Sequence, residues 1–244
     1  MTTLKTLLLD IETAPGLGFA WEKYETNIIE FVKDWYMLSF TVKWLDDTKI
    51  HTYALCDFPT YQKNKESDLE LVRKLWDFVN EADVIVAHNG DSFDIRKMNA
   101  RFIVNGLTPP APYRTVDTKK VAKKNFSFMS NSLNDLGTLF GLGNKASTGG
   151  FKLWTDCMAG KPDAWKRMKK YNKMDVILLE KVYLHMRPWM KTHPNISIEI
   201  SRINCQACGS ANTQKRGFSY SKYTKYQRLQ CMTCSAWSQG PVIK

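Results

Sequence analysis

Asp10 and Glu12 stand two residues apart, directly after the apolar run Leu7-Leu8-Leu9. If residues 4–12 form a strand, period-two geometry puts both carboxylates on one face and Ile11 on the other. Two like charges at a buried strand end repel one another and resist desolvation, and a divalent cation removes both penalties. The other reading is that the strand has ended and both acids are solvated. Asp94 follows a second apolar run, 84–87, within His88-Asn89-Gly90-Asp91-Ser92-Phe93-Asp94. It lies either at the carboxyl end of a strand, where ligands bind in open α/β sheets, or in a first helical turn, where an acid offsets the dipole. His88 reads as a hydrogen-bonded structural histidine. Asp175 belongs to a helical stripe formed by Trp165, Met168, Asn172, Asp175, Leu179, Val182 and Met186. That spacing turns Asp175 inward among apolar neighbours, where a carboxylate needs a partner or a metal. Tyr171, one turn earlier, faces the same way.

A second set of residues lies near the C-terminus. Cys205-Gln206-Ala207-Cys208 is followed, after 22 residues, by Cys231-Met232-Thr233-Cys234. Two C-x2-C pairs at such a separation match a closed tetrahedral zinc site, one structural Zn²⁺ on four thiolates with no open position for catalysis. Gly209, next to Cys208, suits the left-handed turn of a knuckle. Two disulfides are the alternative, which an intracellular chain disfavours. Cys56 and Cys157 are isolated and read as small buried hydrophobes. Between the knuckles, Phe218, Tyr220, Tyr223 and Tyr226 interleave with Lys215, Arg216, Lys222, Lys225 and Arg228. The alternation suggests strands with the aromatics on one face. They form either a stacking platform for single strands or the small core of the ribbon.

The elements that carry these residues follow from periodicity. Strands are expected at 4–12, 36–45, 49–56, 84–87 and 114–117, with 46–48 as a hairpin turn. Ser67-Asp68-Leu69-Glu70 reads as a capping box opening a helix through Leu71, Val72, Leu75, Trp76 and Val79. A helix is expected over 92–105, and helices dominate from about 119 onward. An antiparallel hairpin followed by alternating helix and strand predicts a mixed sheet flanked by helices. Two units are expected, 1–195 and 200–244.

Composition agrees with this division. The 244 residues are 43% hydrophobic and 24% charged, values near globular averages, which exclude disordered, coiled-coil and collagen-like chains. Net charge is +11, and it is unevenly spread. Residues 200–244 hold seven basic side chains and no acid, which leaves 28 basic and 24 acidic residues to the first 199. A basic module on a near-balanced body suggests a polyanion partner, nucleic acid first. Lys166, Arg167, Lys169, Lys170 and Lys173 around Tyr171 either guide such a strand or form a solvated helix face. No stretch approaches the roughly 18 apolar residues of a membrane span. Asp10 ends the first apolar run too early for a secretory signal. The expected location is therefore the cytoplasm, that of a host cell if the chain is viral.

Asp10-Ile11-Glu12-Thr13, Asn89 with Phe93-Asp94, and Tyr171 with Asp175 occur in an order that closely resembles the three motifs of the DEDD superfamily of 3′–5′ exonucleases, in its tyrosine branch. The nearest look-alike is the proofreading domain of family B DNA polymerases. The resemblance spans about residues 1–192 and implies a ribonuclease H-like fold, to which the zinc ribbon is an addition. It implies two Mg²⁺ or Mn²⁺ ions: Asp10 bridging both, Glu12 and Asp175 on the ion carrying the attacking water, Asp94 on the second, and Tyr171 orienting that water. Thr13 and Asn89 match positions that touch the 3′-terminal nucleotide. The implied activity is hydrolysis of nucleic acid to nucleoside 5′-monophosphates. Single-stranded DNA is favoured over RNA, and a replication or repair protein is a candidate partner. The alternatives are an exoribonuclease and a nucleic-acid-binding adaptor with a vestigial site. No polymerase domain accompanies these motifs, so a stand-alone enzyme is expected.

Overall fold

Strand β1 (Thr6–Thr13) is the centre of the molecule. A computed structural model describes residues 4–24, 27–146, 148–197 and 203–243. Leu7, Leu8 and Leu9 are each fully buried. Each such side chain supplies roughly 1.5–3 kcal/mol, enough to hold the acidic end of the strand where water is scarce. A short hairpin follows, β2 (Leu17–Phe19) with β3 (Glu30–Lys33). No strand was expected here: both elements are almost wholly exposed, so no buried face marks them in the sequence. Next come β4 (Met37–Trp44) and β5 (Ile50–Ala54), within the expected limits.

Helix α1 (Leu69–Asn80) begins as expected, but the capping box does not form. Glu70 turns away to accept from the amide and hydroxyl of Thr60, at 3.0 and 2.5 Å. Asp68 is buried and held by both arms of Arg101, at 2.7 Å each, and by the Met37 amide. Then follow β6 (Val84–Ala87), α2 (Asp94–Val104), β7 (Arg114–Asp117), α3 (Thr118–Asn125), α4 (Leu133–Leu139), α5 (Lys152–Met158) and α6 (Pro162–Met186). Pro162 opens α6 in the first turn, where the N–H has no helical partner to lose.

The main sheet has the order β5-β4-β1-β6-β7. Strand β1 is antiparallel to β4 and parallel to β6, and β6 is parallel to β7. This is the expected mixed sheet, with a core on each side. Leu7, Leu9 and Ile11 pack with Phe40, Leu71, Leu75 and Met98. Leu8 packs on the other side with Val84, Val86, Val176, Leu179 and Val182. The carboxyl ends of β1, β6 and β7 therefore share one edge, and Asp10 and Glu12 face α6 there.

Three further strands, β8 (Thr213–Tyr220), β9 (Lys225–Cys231) and β10 (Trp237–Val242), form an antiparallel sheet beside the cysteines. The expected break near 195–200 runs into residues 198–202, outside the described residues. Among the described residues, no helix is long and apolar enough to cross a membrane.

Candidate active site and cysteine cluster

Three of the four expected acids meet. Carboxylate oxygens of Asp10, Glu12 and Asp175 all lie within 4.8 Å of one another. Asp10 and Glu12 arrive from β1, and Asp175 from the middle of α6, where all seven residues of the expected stripe are buried. Asp94, the first residue of α2, is buried beside them, and its Oδ1 accepts the Ile11 amide at 3.0 Å. That bond turns Asp94 toward the β1 backbone, so it borders the cluster of three without joining it.

Neutral donors hold the acids in place. Asn172 Nδ2 donates to the side chain of Asp10 and, at 3.2 Å, to its carbonyl. Its own Oδ1 accepts from Thr41 Oγ1 at 2.9 Å, which fixes the amide orientation. Trp154 Nε1 donates to Glu12 at 3.1 Å. Among the described residues the cation at the cluster is Lys145, whose Nζ lies 2.6 Å from Asp175 and 3.3 Å from Tyr171 Oη. Tyr171 thus faces the acids, as its spacing implied, and Trp154 packs edge-on against its ring at 6.1 Å.

The electrostatics are those of crowded, desolvated carboxylates. Burial, then the charges of Asp94, Glu12 and Asp175, push Asp10 well above the usual range. Burial and the Asp175 charge bring Glu12 up to about 7. Burial brings Asp94 to about 7 despite the Ile11 amide. Asp175 is raised by burial even with Lys145 beside it. Burial also raises the Tyr171 hydroxyl, so Tyr171 stays protonated and can donate. Asp175 Oδ1 is buried and accepts no hydrogen bond among the described residues. An orphaned carboxylate oxygen among raised-pKa acids, all hard oxygen donors, fits a divalent cation.

The loop after β6 is built to a tight specification. Asn89 adopts φ 65°, and a Cβ on Gly90 would stand 2.4 Å from that of Ala87. Buried Asp117, at the end of β7, accepts from the amides of Asn89 and Asp91 at 3.0 and 3.3 Å. His88 bridges Thr118 Oγ1 and the Asn131 carbonyl at 2.9 and 3.1 Å, and burial lowers its pKa to about 4. It is the structural histidine expected. Thr13 lies at a register shift in β1 and lines an open cleft with Phe31, Trp35, Phe151 and Trp154.

The four C-terminal cysteines come together, each sulfur within 4.8 Å of the others and none in a disulfide. Cys205 lies 3.7 Å from Cys234, and Cys208 3.6 Å from Cys231. Sulfurs placed about 2.3 Å from a tetrahedral zinc stand about 3.8 Å apart, so the cluster fits that ion. The knuckles match. Gly209 and Ser235 both take left-handed φ, and their amides donate to the carbonyls of Cys205 and Cys231 at 2.8 and 3.0 Å. Cys157 is buried as expected, whereas Cys56 is half-buried.

The aromatics between the knuckles are not the core of this sheet. Cys205, Ala207, Cys231 and Ala236 are. Phe218, Tyr220 and Tyr223 are exposed. Nor do they share one face. Tyr226 pairs with Ser219 and so points opposite to Phe218 and Tyr220, while Tyr223 sits in the turn between β8 and β9. Lys225 Nζ rests 3.9 Å above the Phe218 ring, Lys222 lies over Tyr223, and Arg228 stacks on Trp237.

A family profile matches residues 25–187, about two thirds of the chain, under the description RNase H superfamily. The chain belongs to the RNase H superfamily. The family B DNA polymerase from the hyperthermophilic archaeon Pyrobaculum calidifontis is similar in structure, with a TM-score of 0.54 and 16% identity. The similarity covers 77% of this chain and 25% of that one, so the chain spans about a quarter of the polymerase's length. A search of curated protein sequences gives no match. Lys145, Asn172, Trp154 and Asp117 are the members of this RNase H-like site that motif spacing missed. Asn172 lay in the buried stripe, where a polar residue is a signal. Lys145 and Trp154 come from the segment between α4 and α6, and no period marks them.

Proposed function

We propose that this protein is a metal-dependent 3′–5′ exonuclease that shortens single-stranded DNA and releases nucleoside 5′-monophosphates. The observation that carries the reading is the convergence of Asp10, Glu12 and Asp175 within 4.8 Å, with Tyr171 one helical turn from Asp175. Asp10, Glu12, Asp94 and Asp175 would hold two Mg²⁺ or Mn²⁺ ions, since hard cations prefer carboxylate oxygens. Such a pair supplies a hydroxide nucleophile and stabilises the leaving oxygen. The chain's own residues do the positioning. Asn172 fixes Asp10, Trp154 fixes Glu12 and the Ile11 amide fixes Asp94. The protonated Tyr171 hydroxyl orients the attacking water, and Thr13 and Asn89 hold the terminal nucleotide.

In this reading residues 1–195 form the nuclease unit and residues 200–244 a ribbon closed by one structural zinc on Cys205, Cys208, Cys231 and Cys234. Its exposed aromatics and the cations Lys222, Lys225 and Arg228 would grip the strand. The test is digestion of 5′- and 3′-labelled oligonucleotides, DNA and RNA, with Mg²⁺ or Mn²⁺. Stepwise shortening of 5′-labelled single-stranded DNA is expected. Asp10→Ala should lose more than about 100-fold in rate, because even changes behind a metal ligand cost 10- to 100-fold. Faster loss of RNA would reassign the substrate. Undiminished digestion by Asp10→Ala, or in EDTA, would overturn the metal-dependent reading.

A further inference from the structure

We propose that the outer face of α3, together with Lys191 and Trp189, is a second binding site for the polynucleotide, taking phosphates upstream of the reacting one. The inference rests on the nuclease reading and extends it to the path of the strand. The α3 sequence, Thr118-Lys-Lys-Val-Ala-Lys-Lys-Asn125, buries Thr118 and Ala122 and turns its lysines outward. Lys119, Lys120, Lys123 and Lys124 fall at i, i+1, i+4 and i+5, a single broad face. Of these four, among the described residues, Lys120 has an acidic partner, Asp91 at 2.8 Å. Among the described residues, Lys119, Lys123, Lys124 and Lys191 carry no ion pair, as is true of other exposed lysines; here four of them are gathered in one place.

Asp91 and Asp117 offset part of this charge, both acting on Lys120, and leave the other lysines of the face in excess. Asp117 is buried, and its oxygens are occupied by four amides, those of Asn89, Asp91, Lys119 and Lys120. Four like charges on one face repel one another in the free protein, and a polyanion relieves that repulsion.

Shape and position narrow the ligand. A cavity of about 420 Å³ is lined here by Lys120, Lys124, Lys191 and His193 together with the acids Asp91 and Asp117. Trp189 is 65% exposed beside it. Its indole is pinned edge-on by Phe126 at 5.8 Å, and its carbonyl accepts from Asn125 Nδ2 at 3.1 Å. A fixed, exposed aromatic among cations is the pairing that stacks bases and neutralises phosphates. The face also adjoins the acids. Strands β1, β6 and β7 are parallel neighbours, so at about 4.8 Å per strand the end of β7 lies about 10 Å from that of β1. Helix α3 continues about 12 Å beyond. A strand with its 3′ end at Asp10 thus reaches this face after a few nucleotides.

The test uses Asp10→Ala protein to prevent digestion, with Lys123, Lys124 and Lys191 all changed to Ala, or Trp189→Ala alone. Binding of single-stranded DNA of about 20 nucleotides, and of a dinucleotide, is measured across a salt series. On the long strand the triple variant should flatten the slope of log affinity against log salt by about 2, at roughly 0.7 per phosphate contact. Trp189→Ala should weaken long-strand binding about 5- to 150-fold. Dinucleotide binding should stay unchanged in both, which also reports an intact fold. An unchanged slope on the long strand overturns the proposal, and so does equal weakening of both ligands. Binding of the parent to anionic phospholipid vesicles, lost with the three lysines while the DNA slope stays fixed, assigns the face to a lipid surface instead. Failure of the nuclease reading is separable: a parent that digests nothing but keeps the lysine-dependent slope loses its activity and retains this site.

Discussion

Replacing Glu12 with Gln tests the electrostatics of the acid cluster without removing a side chain's volume. In the metal-free protein the Glu12 carboxyl is raised from 4.5 to about 7, by burial first and the Asp175 charge second. A group that holds its proton more tightly in the folded chain contributes stability that is complete below its unfolded pKa and is lost as pH rises through its folded pKa. For Glu12 that window runs from 4.5 to about 7. At about 1.36 kcal/mol per pH unit, roughly 2 kcal/mol disappears between about pH 5.5 and pH 7. In a chain of this size the loss lowers Tm by about 4–8 °C. The buried histidines pull the other way. His88 and His193, both lowered to about 4 by burial, add stability as pH rises toward 6.5. They are common to parent and variant, so the difference in Tm between the two isolates the carboxyl. EDTA-treated parent and Glu12→Gln proteins, melted across this range, should show a gap that grows in the variant's favour by about 4–8 °C. Mn²⁺ should raise the parent's Tm more as pH rises, since ligands must lose their protons to bind. A Tm gap that does not change with pH would refute the argument that Glu12 is a desolvated, charge-crowded acid.

Two further outcomes follow from the same geometry. Tyr171→Phe should lower kcat about 10- to 100-fold, the usual cost of a lost group behind the metal ligands, and leave the Mn²⁺-induced rise in Tm intact; turnover equal to the parent would make Tyr171 a packing residue only. Changing Cys205 and Cys208 to Ser should remove one zinc per chain by elemental analysis and flatten the salt slope of single-strand binding by about 2, the equivalent of three phosphate contacts; zinc loss with an unchanged slope would assign the ribbon to a protein partner.

The sequence is most legible where one physical demand repeats. The α6 stripe repeats burial every three or four residues, and all seven of its predicted positions are inside. The run Leu7–Leu9 demands cover on both faces, and the two cores supply it. Paired C-x2-C motifs demand two matching turns, and Gly209 and Ser235 provide them. Legibility fails where a residue's role depends on something distant in the chain. Glu70 satisfies the capping-box pattern but finds Thr60, ten residues earlier, a better partner. Trp154 reaches Glu12 across 142 positions, and Lys145 reaches Asp175 across 30, each from a segment with no period to mark it. The ribbon aromatics illustrate a different failure. Alternation fixes the faces within one strand, but a turn intervenes, and the register between strands decides which face the next aromatic takes.

The donors around the acids divide by charge and by the element that carries them. Asn172, Trp154 and the Ile11 amide are neutral and sit on α6, α5 and β1. They set where the carboxylates point while leaving their charge uncancelled, so the pull on a cation is preserved. Among the described residues Lys145 is the one that cancels charge, and it comes from the loop between α4 and α5, not from a helix or strand. Removing one partner of a buried pair costs about 3–5 kcal/mol, so Lys145 stabilises the ionised form of Asp175 in the metal-free protein. In the metal-dependent reading a divalent cation would take over this duty, and Lys145 lies outside the helices and strands. The residues that orient the acids are therefore built into the framework, and the one that pairs with Asp175 is not.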